Sequence, residues 1–570
     1  MSDAFFERPI INSPYEYPTS HWELDENGQP TQQMLDGRRP AKFISPIPKP
    51  KKRRGSSKQQ DLVFDRETGL SSQEQQYDPT SVINDVRTHV DAWRRLPESR
   101  WGVTPETARL LRHWRHHDFQ GIRPFFCQVE AAETAIWLTE VAPKDKSVKW
   151  ILTQLETANR DANPELARLA LKLATGAGKT TVMAMLIAWQ TVNAVRRPNS
   201  KKFTRGFLIV APGLTIKDRL RVLQPNDPDS YYESRELIPH DMVRDLQKAK
   251  IVVTNFHAFK LRERMGISAG GRRLLKGRTG EDLDSRETEG QMIQRVMPDL
   301  MGMKNIFVFN DEAHHCYREK PPEPDDVALK GDERKEAAKN NEAARLWISG
   351  LEAVNRELGV TRVLDLSATP FFLQGSGYAE GTLFPWVMSD FSLMDAIECG
   401  IVKLPRVPIT ENLPNAGEEL PVYRDLWKHI RKDMPKKGRG AGAKLDPLKL
   451  PTRLKTALEA LYGHYEKTFK LWEEKGISVP PCFIVVCQNT AISKLVYDYI
   501  SGFQQEQEDG TSSLQNGAHK LFRNFDESTG NPLARPNTLL IDSEQLESGD
   551  ALDKNFRAMA ADEIDRFRRE

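Results

Sequence analysis

Short apolar runs separated by stretches of helical period organise the middle of the chain. "ARLALKLA" (167–174) sets Leu169, Leu171 and Leu173 on one face, the alternation of a strand. "GFLIVAP" (206–212), "KIVVTN" (250–255), "NIFVFNDE" (305–312) and "RVLDLSAT" (362–369) are further strand candidates. Between them lie helical segments. "TVMAMLIAWQTV" is apolar enough to be buried on most sides, and Trp347, Leu351, Val354 and Leu358 mark a helix that stops at Gly359. Alternation of such strands and helices from about 120 to 400 predicts a mostly parallel sheet covered on both faces, an α/β fold. Ligands of open α/β sheets gather where the strands end, and polar and glycine signals recur there.

The flanks read differently. Residues 1–76 are rich in Pro, Gln and charge without a sustained period, and are expected to form an extended arm. Within the arm, "KPKKRRGSSK" (49–58) is a solvated cationic run, a phosphate contact or a localisation signal. Residues 77–119 hold helices, one through Val82, Val86, Val90 and Trp93, and one capped by Thr104 with Pro105 at its first position. Two polar inserts (260–295 and 318–342) look like surface excursions from the 120–400 domain. Residues 401–475 combine a Gly-, Pro- and Lys-rich linker with a helix through Leu454, Leu458, Leu461, Tyr465 and Trp472. "PCFIVVCQNTAISKLVYDYISG" (481–502) predicts a buried strand and a helix, and "NTLLIDSEQL" (537–546) another strand. Residues 476–570 are thus expected to begin a second α/β domain.

Composition narrows the classes. A chain of 570 residues suggests roughly three or four domains. With a formal charge of +2 there is no global basic field, so nucleic-acid binding has to come from local patches. Runs such as "MAMLIAW" are far shorter than the roughly 20 residues of a membrane span, and "MSDAFFERPIINS" has no basic start or apolar core. Five cysteines without a CxxC pair do not suggest a disulfide framework, so a soluble, cytoplasmic chain is expected. Cys482 and Cys487, which bracket an apolar run, are read as core residues.

The chemistry concentrates at "LATGAGKTTVMAML" (173–186). Gly176 and Gly178 let the backbone turn N–H groups inward, Lys179 brings a positive point charge, and Thr180 offers a hydroxyl to a divalent metal. Strand, glycine turn and helix in this order are the phosphate-binding P-loop arrangement, with Thr175, Gly176, Ala177, Gly178, Lys179, Thr180 and Thr181 around the phosphates. The strict pattern has glycine six residues before the lysine; here Leu173 stands there. A P-loop needs acids to hold Mg²⁺ and activate water, and the strand "IFVFNDEAHH" ends in them. Asp311 is placed to hold the metal with Thr180, and Glu312 to orient or deprotonate the attacking water.

"ATGAGKT", "DEAH" and "SAT" (367–369), in this order on successive strands, resemble motifs I, II and III of superfamily 2 helicases and translocases. The finer resemblance is to the Res subunits of type III restriction enzymes, supported by "FFCQVEAAETAIWL", "SATPFF" and "FSLMDAIECGIVKLPRV", and it covers roughly 120–500. It implies two RecA-like domains with ATP and Mg²⁺ between them and DNA lying across both, gripped mainly by its phosphate backbone. Gln128 matches the glutamine that reads adenine. His314, Ser367, Ala368 and Thr369 match residues that couple phosphate state to nucleic-acid grip, with His314 grouped beside the catalytic Lys179 and Glu312. "APGLTIKDRL" (211–220) and "TNFH" (254–257) match loops in which Gly213, Thr215, Thr254 and Asn255 touch backbone phosphates. A modification (methyltransferase) subunit is the partner implied. His315 and Cys316, without a second ligand pair, are read as structural rather than metal-binding.

Two features that the resemblance leads one to expect are not found. No Q-x-x-G-R-x-x-R motif follows residue 480, and no P-D…(D/E)-x-K nuclease arrangement is visible. Either the sequence is part of a longer chain or a second polypeptide completes the motor. Two alternatives therefore stand beside a DNA translocase. One is a nucleotide-gated DNA-binding module without turnover. The other is an RNA helicase or DNA-repair motor of the same superfamily, which shares every ATPase residue.

Overall fold

A computed structural model describes residues 4–25, 28–42, 80–213, 219–262, 286–320, 332–405, 426–435, 446–506 and 512–541. The chain divides into two compact units, Met1–Leu404 and Pro405–Glu570.

The first unit is α/β. Its centre is a parallel six-stranded sheet made of β3 (Arg168–Leu173), β4 (Gly206–Ala211), β5 (Lys250–Asn255), β6 (Ile306–Asp311), β7 (Val360–Ser367) and β8 (Val387–Phe391), ordered β5-β4-β6-β7-β3-β8. Strand alternation splits the apolar residues between two cores. Phe207, Ile209, Phe307 and Phe309 join one, with α4 (Phe126–Ile136), α5 (Lys149–Ala162) and α6 (Lys179–Arg196). Leu208, Val210, Ile306 and Val308 join the other, with α7 (Glu289–Val296) and α8 (Asp332–Leu358). The five predicted strands match β3 to β7 within two residues at each end. The sixth, β8, gave no apolar signal because Ser389 and Asp390 interrupt it. Asp390 is buried against Lys172 of β3, whose Nζ lies 2.6 Å away.

Polar residues tie the central strands together. Arg168, fully buried, donates through Nε to Asp365 Oδ2 (2.8 Å), and Asp365 also accepts from Asn310 (2.8 Å) and Trp386 (2.7 Å). Strands β3, β6 and β7 thereby share one buried hydrogen-bond network, with only Arg168 Nη2 left without a partner in it, which fixes their register beneath the strand ends.

Three sequence expectations are corrected in this unit. The described part of the N-terminal region is a packed element and not an extended arm. Helix α1 (Ala4–Glu7) and the hairpin β1 (Ser20–Leu24) and β2 (Pro30–Asp36) sit on the α/β core. Phe5 and Trp22 pack with Ile397. Ile11 and Asn12 donate to the Glu398 carbonyl, and Arg38 and Arg39 pair with the buried acids Glu130 and Glu398. Few aromatic anchors and arginines with distant partners leave no periodic trace. The basic run at 49–58 lies outside the described residues. The two polar inserts also contain structure. Helix α7 opens on a reciprocal Thr288–Gln291 capping box and buries Met292 and Ile293, and α8 extends back to Asp332. Elsewhere expectation and structure agree. Helix α2 (Thr80–Arg94) buries Val82, Val86, Val90 and Trp93. Helix α3 (Pro105–His116) is capped by Thr104, and Gly359 ends α8 at φ +74°.

The second unit is built on α10 (Thr452–Glu474) and α11 (Thr490–Ser501), with α9 (Leu393–Glu398) the last helix of the first unit. Leu454, Leu458, Tyr462, Val496 and Phe522 form a small core beside an antiparallel hairpin, β9 (Gly502–Glu506) and β10 (Ser512–Asn516). The strand expected at 481–487 does not form. The segment pairs with no strand among the described residues, Ile484 and Val486 are exposed, and only Phe483 and Cys487 pack on the core. Cys482 is exposed and not a core residue, whereas Cys487 is half-buried against the core. An apolar run becomes a strand only where neighbours take up its N–H and C=O groups. Residues 537–541 are irregular, and 542–546 lie outside the described residues.

Candidate active site

Adjacent sheet positions bring the motif ends together. Strands β3, β7 and β6 are neighbours, so the glycine loop after β3, Ser367 at the end of β7 and Asp311 at the end of β6 open on one edge. In the loop, Gly176 and Gly178 adopt φ +84° and +82°, the left-handed region that turns the backbone into α6. At Gly178 a Cβ would also lie 2.2 Å from Gln128 Nε2, so that amide would have to move aside. Thr175 and Gly176 are exposed, Ala177 and Thr181 are buried, and Gly178, Lys179 and Thr180 are half-buried.

Lys179, the first residue of α6, points across to the end of β6. Its Nζ lies 2.5 Å from Glu312 Oε1. Glu312 itself has φ +52°, a left-handed conformation that costs a side-chain-bearing residue about 1–3 kcal/mol and that aims its carboxylate at the loop. Asp311 beside it is 2% exposed. Burial pushes its carboxyl above the ordinary carboxylate range; Lys179 and Arg219 oppose the shift and Glu312 adds to it. The nearest cation with a direct contact is Arg219, at 3.5 Å. A buried carboxylate so weakly compensated is suited to a divalent cation.

His314 joins the glycine-loop side of the site to β7. Its Nδ1 is 3.0 Å from Ser367 Oγ, which also accepts the Thr369 N–H at 3.0 Å. Burial, helped by His315, lowers its pKa to about 4, so the ring is neutral at pH 7. Ala368 is half-buried and Thr369 exposed.

Gln128 meets the loop rather than open solvent. It is 3% exposed, its Nε2 donates to the Ala177 carbonyl (2.9 Å), and its Oε1 accepts the Phe125 N–H (3.1 Å). Here the side chain braces the phosphate loop from the first turn of α4. Of the residues matched to nucleic-acid contacts, Gly213 lies in open space just past β4, and Thr215 falls outside the described residues. Thr254 and Asn255 end β5 half-buried; Asn255 Oδ1 caps the turn that follows by accepting the Ala258 N–H. Among the described residues, Gly213, Thr254 and Asn255 make no hydrogen bond to the P-loop cluster. Sequence reasoning missed two arginines. Arg219, 3.5 Å from Asp311, lies inside "APGLTIKDRL", and Arg235, whose Nη1 donates to Thr181 Oγ1 at 2.9 Å, lies in no motif.

Among the described residues no helix is long and apolar enough to cross a membrane. Compared with known families, residues 124–372 match the model of the type III restriction enzyme, res subunit, and the six-stranded parallel sheet with its covering helices is a RecA-like P-loop fold. No curated protein and no solved structure matches the chain.

Proposed function

We propose that the chain is an ATP-dependent DNA translocase or helicase subunit of the type III restriction kind, which binds and hydrolyses ATP with Mg²⁺ and grips DNA through its phosphate backbone. Support comes first from the convergence of Lys179, Glu312 and the buried Asp311 at one sheet edge, inside the matched segment.

The donor set fits a magnesium-bound triphosphate. Asp311 and Thr180 would hold Mg²⁺, which supplies charge neutralisation to the β- and γ-phosphates when bound. Lys179 exchanges Glu312 for phosphate oxygens. Glu312, released, accepts a proton from water as the water oxygen bonds to the γ-phosphorus, and the bond from that phosphorus to the bridging oxygen of ADP breaks. His314, neutral and hydrogen-bonded to Ser367, carries the change at the DEAH turn to the end of β7. Gly213, Thr215, Thr254 and Asn255 supply the phosphate-facing loops for DNA, so binding weakens as salt rises.

The test is DNA-stimulated ATP hydrolysis. Lys179→Ala and Glu312→Gln are each expected to reduce it by about 100-fold or more; stimulation that survives both changes overturns the reading. A second reading is a nucleotide-gated DNA-binding module without turnover, in which Lys179 stays paired with Glu312. Steady-state turnover by this chain alone rules it out. Comparison of duplex DNA, single-stranded DNA and RNA as stimulators separates a restriction-type motor from an RNA helicase or repair motor.

A further inference from the structure

We infer that Arg235 is a nucleotide-binding residue that grips the α-phosphate end of the bound nucleotide; this rests on the P-loop reading above. Arg235 follows a short helical turn, Tyr231–Ser234, in the connection between β4 and β5. From there its Nη1 donates to Thr181 Oγ1 at 2.9 Å. Thr181 is the third residue of α6, next but one to Lys179, and is 1% exposed. The remote connection thus delivers a guanidinium to the first turn of the P-loop helix.

Its electrostatic state differs from that of several arginines elsewhere in the first unit. Arg196, Arg197 and Arg219 each pair with a carboxylate, of Asp245, Glu106 and Asp311 respectively. Arg235 pairs with no carboxylate among the described residues, although it is half-buried. One face of the guanidinium is covered by the Tyr231 ring, whose centroid is 3.7 Å away. A partly desolvated cation with no anionic partner, beside a loop built to hold phosphates, is complementary to an anion.

The approach is rigid. Glu236, the next residue, has φ +49°, and its carboxylate is fixed by the His117 ring at 2.8 Å and the Gln120 N–H at 2.9 Å. Its carbonyl oxygen lies 2.6 Å from His113 Nε2. A strained backbone held by three contacts gives Arg235 little freedom to swing away. Position along the helix selects the phosphate. The P-loop lysine serves the β- and γ-phosphates, while the loop and first turn face the α- and β-phosphates. Thr181 lies past Lys179 in that turn, so the arginine beside it meets the α-phosphate, which ATP and ADP share. Arg235 accordingly sets nucleotide affinity and leaves the hydrolytic step to Glu312.

Equilibrium binding of ATP and ADP to the full chain, with ATPase kinetics, tests this. Arg235→Ala is expected to weaken both nucleotides by about 10-fold while kcat stays within about twofold, and Arg235→Lys to recover part of the loss. The two diastereomers of ATP bearing sulfur on the α-phosphorus give a readout that a merely structural arginine would not move. The intact chain should prefer one of them, and Arg235→Ala or Arg235→Lys should lose the preference. Unchanged affinities and an unchanged diastereomer preference, in a protein where Lys179→Ala does weaken ATP, overturn the inference. If Lys179→Ala leaves ATP binding intact, the P-loop reading fails instead. Should Arg235→Ala not fold, Arg235→Lys with the two diastereomers decides alone.

Discussion

Two apolar runs of nearly the same composition meet opposite fates. "IFVFN" in β6 is wholly buried, with Val308 and Phe309 at 0% exposure between β4 and β7. "FIVVC" at 483–487 leaves Ile484 78% and Val486 90% exposed. The difference is neighbours. In the first unit, each central strand has a hydrogen-bonding strand on either side and helices over both faces, whereas in the second unit no described strand flanks 481–487. Apolar content states only that a segment needs cover, and the partners that supply it lie elsewhere in sequence.

That contrast can be broken experimentally. Val308→Asp puts a carboxylate into the sheet without a partner and is expected to cost the first unit about 4 kcal/mol or more, read from denaturant midpoints. Val486→Asp, at an exposed site, should shift the second unit by no more than about 0.5 kcal/mol; an equal loss at both positions would mean that the 481–487 segment is covered after all. Asp365→Ala strips the buried Arg168 of its carboxylate and should cost about 3–5 kcal/mol, whereas exposed pairs such as Arg112 with Glu98 should contribute less than about 1 kcal/mol.

Acid sharpens the comparison inside the second unit. His519 is 1% exposed, neither ring nitrogen makes a hydrogen bond although Glu459 Oε2 lies 3.4 Å from Nδ1, and burial lowers its pKa to about 4. A histidine with a depressed folded pKa charges more readily when unfolded. Its contribution is therefore fully present above the unfolded value of about 6.5 and is lost as pH falls through about 4. The loss should not exceed about 3 kcal/mol, the full conversion of that shift, and His519→Phe should flatten the acid limb of the second unit's unfolding curve. Gly178→Ala should lower global stability by only about 1 kcal/mol. Its effect should instead appear as weakened ATP binding, because the added methyl pushes Gln128 off the loop.

The legible part of the fold was the part with period. Five strands of the sheet, the P-loop and the acids after β6 combine a local pattern with a local chemical need, so each could be read within ten or so residues. The convergence of Lys179 with Glu312 was legible too, since both lie at strand ends in an α/β alternation. What stayed hidden depends on partners far along the chain. Strand β8 conceals a buried Lys172–Asp390 pair, the N-terminal region is fastened by Arg38 and Arg39 to acids about 90 and 360 residues away, and Arg235 reaches Thr181 across 54 residues. Gln128 was found by motif, but the Ala177 carbonyl that its amide holds is a matter of three-dimensional packing.

The brace of Gln128 on the glycine loop gives the N-terminus a reach beyond its own neighbourhood. Helix α4 carries Gln128 at one end and, half a turn on, Glu130, which Arg38 clamps from the hairpin side. Anyone trimming the first forty residues as a ragged leader would unpin that helix, and the damage would surface as a slack grip on phosphate more than a hundred residues downstream.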